Sequence, residues 1–139
     1  MRRVLLLLAL SPSFVAAQDS ESLRARIEAH YAAIHAQQND AVMGHHLPDM
    51  TIFPQTGHVL MEAGWGDSDA RMGAAMPFPA ANVAMRDFNA QIYGDAGIAT
   101  FYLDGWYGED RGTWRVSAVW LWRDGQWMEA HHHESRLVS

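Results

Sequence analysis

The chain contains no cysteine and no lysine; all ten of its basic residues are arginine. Without cysteine there is no disulfide framework, no thiolate nucleophile and no thiolate metal site. Without lysine there is no Schiff-base chemistry on a side-chain amine. Positive charge is scarce as well. Ten arginines stand against 16 acidic residues, for a formal net charge of −6. That balance works against phosphate neutralisation, so no nucleic-acid partner is expected. No basic amphipathic stretch is present to grip an anionic membrane.

What is there suits one domain. The 139 residues suffice for a single core, and 49% hydrophobic content can fill it. Six tryptophans are many for this length; such rings are most useful in a wide pocket or a subunit interface. The start reads separately. Arg2 and Arg3, the apolar run 4–10 and Val15-Ala16-Ala17 have the layout of a secretory signal peptide. The run is too short to span a bilayer. Cleavage after Ala17 is therefore expected, leaving a domain at 18–139 that is periplasmic or secreted and has no membrane attachment. Losing Arg2 and Arg3 takes the formal charge from −6 to −8.

Along the mature chain, Asp19 or Ser20 caps a first helix with Glu21 at the positive end of its dipole. Leu23, Ile27, Tyr31 and Ile34 recur at helical spacing, and the helix is expected to reach about Gln38. A short helix at 41–46 should follow Asp40 and stop before Pro48. Short strands are expected at 50–53 and 58–61, and a short helix from Asp67 or Ser68 to Met76. Four longer strands, at 83–93, 97–106, 113–122 and 126–134, finish the chain as a meander with glycine-containing turns.

This order of elements ends in Trp-Arg-Asp-Gly-Gln-Trp-Met-Glu-Ala-His-His-His-Glu-Ser, residues 122–135. With the Ile-Tyr-Gly-Asp of residues 92–95, it resembles the SnoaL-like branch of the nuclear transport factor 2-like superfamily. The terminal hairpin is similar to the end of the calcium/calmodulin-dependent kinase association domain. The resemblance covers roughly residues 20–135. It implies an α+β, cone-shaped fold, with N-terminal helices packed on a strongly curved antiparallel sheet that encloses a pocket. It also implies a homodimer through sheet surfaces.

Register decides which residues face that pocket, because a slip of one residue swaps the faces. A two-residue turn at Asp124-Gly125 would set Trp122 opposite Trp127. A three-residue loop with Gly125 left-handed would set Trp122 opposite Gln126, and this second register is the one adopted. It puts Ala118, Trp120, Met128, Ala130, His132 and Glu134 on one face, and Trp127, Glu129, His131 and His133 on the other. The family resemblance adds Ala99, Phe101 and Leu103 from the neighbouring strand and Tyr31 from the first helix to the interior. The expected ligand-binding wall is thus Phe101, Leu103, Ala118, Trp120, Met128 and Ala130. The expected polar centre is His132, Glu134 and Tyr31, with Glu134 orienting the imidazole as a general base or ligand clamp. His131, His133 and Glu129 could chelate on the outer face, but no metal and no cofactor are expected. The pairs His45/His46 and His30/His35 lack helical chelating spacing.

Family enzymology does not transfer residue by residue. Against the ketosteroid isomerases, Tyr31 fits the tyrosine position, but the base falls at Phe53 or Pro54 and the partner aspartate at Ala118. No carboxylate can be placed for SnoaL-type cyclisation. For an epoxide-hydrolase Asp-Arg-Asp set, the nearest arginine, Arg115, points outward. The leading expectation is an exported domain that binds a small apolar or aromatic molecule. The alternatives are an isomerase, lyase or hydrolase with His132 as base, and a non-catalytic interaction module.

Overall fold

The first helix begins where side chains can satisfy the orphaned amides of a helix start. In the computed structural model, which describes residues 18–53 and 80–138, Asp19 Oδ1 accepts from the Ser22 amide at 2.8 Å and Ser22 Oγ accepts from the Asp19 amide at 3.2 Å. This reciprocal box opens α1 (Ser20–His35). Leu23, Ile27, His30, Tyr31 and Ile34 form its buried stripe, so the expected face is observed with a histidine added to it. The helix stops at His35 rather than Gln38, because Gln37 turns left-handed and the Gln38 amide bonds back to Ala33.

The second helix, α2 (Asn39–Met43), is shorter and earlier than expected. The His45 amide bonds back to Val42, and the His45 carbonyl already accepts from the Glu129 amide at 2.8 Å. The chain is thereby drawn into β1 (His46–Phe53), which runs through Pro48. Four strands follow: β2 (Ala81–Tyr93), β3 (Ala96–Tyr107), β4 (Asp110–Arg123) and β5 (Gln126–Arg136). The expectations for 1–17, 58–61 and 67–76 lie outside the described residues.

The sheet order is β1-β5-β4-β3-β2. The four long strands are antiparallel as expected, but β1 joins β5 in parallel, so the sheet is mixed. The register shifts at Asp87 in β2 and at Ala130 in β5, where bulges bend the sheet, and again between His46 and Thr51 in β1. Helix α1 lies on the inner face. It approaches so closely that a Cβ on Gly97 would sit 2.7 Å from Leu23 Cδ2. Leu23, Ile27 and Ile34 meet Phe101, Leu103, Trp114, Trp120 and Trp127 in one core. Full burial stabilises each such side chain by about 1.5–3 kcal/mol.

The terminal hairpin corrects the expected register. Trp122 opposes Trp127 and Arg123 opposes Gln126 across a two-residue turn. Asp124 and Gly125 are both left-handed, at φ 51° and 80°, as a turn matched to strand twist requires. The Trp122 and Trp127 rings then meet edge to face, 5.2 Å apart. The extra residue comes later. Trp120 opposes Glu129 but Val119 opposes His131, so Ala130 is left unpaired. Before this bulge, Trp127 and Glu129 face inward, where outward positions were expected. After it, His132 and Glu134 face inward.

Candidate functional site

Ala130 brings the polar centre together. Residues three apart on a regular strand point to opposite faces. The bulge adds one residue to that count, and Glu129 and His132 share the interior. Glu129, His132 and Glu134 are 1%, 7% and 5% exposed. His132 Nδ1 lies 2.8 Å from Glu129 Oε1, and its Nε2 lies 3.2 Å from Glu134 Oε2. The Tyr107 hydroxyl donates to the same Glu134 oxygen at 3.4 Å. The imidazole is therefore clamped at both nitrogens.

Electrostatics follow from that clamp. Burial pushes the His132 pKa down, but the two carboxylates outweigh it and set it at about 10. His132 is thus imidazolium at neutral pH and donates both N–H groups. Burial pushes the Glu129 carboxyl up, and the His132 imidazolium hydrogen-bonded to it more than reverses this. The histidines of the opposite wall behave differently. Burial drives His30 to about 3 and His45 to about 4, so both are neutral. Their Nδ1 atoms are 3.3 Å apart, one donating to the other. Burial also raises Tyr31 and Tyr107, keeping both phenols protonated.

All of these groups except His45 border a cavity of about 60 Å3. Its polar wall is His30, Tyr31, His46, Tyr107, Glu129, His132 and Glu134, and its apolar wall is Ile34, Met50 and Ile52. Pockets for drug-sized ligands measure roughly 300–1,000 Å3, so this space has room for a small group at most. Among the described residues, three atoms at its border are buried without a partner: Tyr31 Oη, Glu129 Oε2 and Glu134 Oε1. Trp120 Nε1 is also unpartnered, next to the His30 ring. A shallower depression along α1, between Arg24, Glu28 and Phe88, borders none of these buried groups.

The expected centre of His132, Glu134 and Tyr31 is brought to one cavity. The expected wall is largely elsewhere. Phe101, Leu103, Ala118 and Trp120 are buried but packed into the core rather than lining the cavity. Met128 and Ala130 are corrected outright: Met128 pairs with Leu121 on the other face and meets Arg26, and Ala130 is the bulge. The outer-face set of His131, His133 and Glu129 is also undone, since Glu129 points inward. His131 shares a 2.7 Å hydrogen bond with Thr51 instead. Sequence reasoning missed His30, His46, Tyr107 and Glu129. One signal existed: His30 is three residues after Ile27 on the apolar stripe of α1.

No family model and no curated protein match the sequence. Solved structures do. A nuclear transport factor 2-like protein from Cytophaga hutchinsonii superposes with a TM-score of 0.71 at 16% identity, covering 87% of this chain and 100% of its own. The calcium/calmodulin-dependent kinase II hub homology domain of Chlamydomonas reinhardtii gives 0.68 at 20% identity, covering 86% and 98%. A candidate ketosteroid isomerase from Parabacteroides distasonis gives 0.70 at 17% identity, covering 90% and 93%. Identities this low speak to architecture, and on architecture they agree with the helices and curved sheet described above: the chain has the nuclear transport factor 2-like fold.

Proposed function

We propose that this domain binds a small molecule that inserts a carbonyl or hydroxyl head into the cavity, and that Tyr31 and Glu134 handle that head. The observation that carries this reading is the pairing of a donor, Tyr31 Oη, with an acceptor, Glu134 Oε1, at one buried cavity, both unpartnered among the described residues. Each unsatisfied buried group costs about 1–3 kcal/mol. A ligand that satisfies both recovers that cost on binding. The apolar side formed by Ile34, Met50 and Ile52 favours a carbon skeleton beside the polar head.

The same groups support proton transfer as the chemistry. Glu134 Oε1 takes a proton from the ligand while the Tyr31 hydroxyl donates to the oxygen where negative charge develops. An isomerase or lyase acting beside a carbonyl fits this division of roles. His132 serves as the clamp rather than the base, because both of its nitrogens already face carboxylates. The experiment is thermal shift with a panel of small hydroxy and keto compounds, using EDTA-treated wild type, Tyr31→Phe and Glu134→Gln. A ligand at a hundred times its Kd adds about 2.7 kcal/mol, a shift of several degrees. The shift should vanish in both variants. Equal shifts in all three proteins would reject the site.

Two parts of the proposal rest on the sequence. Residues 1–17 act as a cleaved export leader, so mature protein from a native host should begin at Gln18. The domain pairs through the outer sheet surface, where Phe53 and Ile98 are exposed. Sedimentation velocity should show a dimer that weakens on Ile98→Asp.

A further inference from the structure

We propose that His30, His46 and Glu129, three residues of the cavity wall, bind a divalent transition-metal ion of the zinc class. One donor atom from each of the three lies within 4.8 Å of the other two. Around a tetrahedral ion with bonds of about 2.0–2.1 Å, donor atoms are roughly 3.3–3.5 Å apart. His46 Nε2 and Glu129 Oε2 are already at that spacing, 3.4 Å. The His30 donor lies within 4.8 Å of both. Two imidazoles and one carboxylate form a donor set that zinc sites use while keeping a position open.

An independent observation points to a ligand. Glu129 is 1% exposed, and among the described residues its Oε2 has no hydrogen-bond partner, with His46 Nε2 3.4 Å away. A buried carboxylate oxygen is costly to leave unpaired, and an ion between it and the two imidazoles would satisfy it. The outer bonds are in place as well. Ligating groups are typically fixed through their remaining polar atoms. Glu129 Oε1 is held by His132, and His30 Nδ1 is held by His45, leaving His30 Nε2 available to an ion. The three donors come from α1, the start of β1 and the residue before the β5 bulge. A shared ion would tie those segments together. The open position would face the cavity that Tyr31 and Glu134 border.

This inference stands apart from the ligand reading above, since neither Tyr31 nor Glu134 is a donor to the ion. The experiment titrates EDTA-treated mature protein with zinc chloride by calorimetry and with cobalt(II) chloride by visible absorption. Wild type should take up one ion per chain, and cobalt should develop the intense colour of a low-coordinate site. Loss of an outer partner typically weakens a metal site about 10–100-fold. His46→Ala, which removes a donor, and Glu129→Gln, which keeps the side-chain shape, should each weaken binding at least as much. Glu28→Gln, on the exposed side of α1, should bind within a few-fold of wild type. Circular dichroism confirms folding of each variant. Two results would overturn the proposal. One is no uptake by folded wild type. The other is uptake that survives His46→Ala and Glu129→Gln but is lost in a His131→Ala/His133→Ala double variant.

Discussion

The three consecutive histidines of β5 divide the molecule into two regions that share residue types and differ in physics. His132 is buried between two carboxylates and held as an imidazolium. His131, one residue away, is half-buried on the other face, bonded to Thr51 and edge-on to Phe53, and burial pushes its pKa down. His133 is exposed beside the same Phe53. Residue identity therefore says little about the role of each ring. What separates them is the sheet face, and the face is set by one unpaired alanine.

The contrast can be broken from the inside first. Glu129→Ala leaves the His132 imidazolium buried without its nearer partner; removing one member of a buried pair costs about 3–5 kcal/mol. Urea unfolding should show the loss in the midpoint. A smaller effect is expected where α1 meets the sheet. Gly97→Ala forces Leu23, Ile92 or Trp127 to move and should cost about 1–3 kcal/mol by overpacking. On the outer face, His133→Ala should stay within about 0.5 kcal/mol of wild type, as exposed substitutions usually do.

The smallest effect concerns Asp104, which accepts from Thr113 and pairs with Arg86 on the outer face of β3. The hydrogen bond from Thr113, then that from Arg86, holds its carboxyl below the ordinary aspartate value. A carboxylate lowered on folding stabilises the protein above the unfolded pKa, and this is lost as pH falls through the folded value. The stability difference between wild type and Asp104→Asn should therefore be present at neutral pH and shrink below about 3.8, where the unfolded carboxyl protonates. A difference independent of pH would show that the interaction is not carried by the charge.

The legible parts of the sequence were those with local signatures. The Asp19 cap, the stripe of Leu23, Ile27, Tyr31 and Ile34, and four strands punctuated by glycine turns all follow from short-range chemistry. The parallel docking of β1 onto β5 carries no local mark, because its two strands are distant in the chain. The two-residue turn at Asp124-Gly125 was one of two readable options, and the wrong choice turned Trp127 and Glu129 outward. The bulge at Ala130 then restored the inward direction of His132 and Glu134. Two errors of register thus cancelled at His132 and did not cancel at Glu129, Met128 and Ala130. Of the two carboxylates around His132, Glu134 was legible from its two-residue spacing, and Glu129 was invisible because regular alternation separates positions 129 and 132.

A double-mutant cycle between Glu129 and His132 tests the role of that bulge most directly. Glu129→Gln, His132→Gln and the double variant are unfolded in urea at neutral pH beside wild type, with Glu129 and His133 as the control pair. Residues in one buried network couple by about 0.5–3 kcal/mol, and the 2.8 Å contact places this pair in the upper part of that range, with no coupling to His133. Coupling of zero between Glu129 and His132, or coupling of equal size to His133, would contradict a shared interior face.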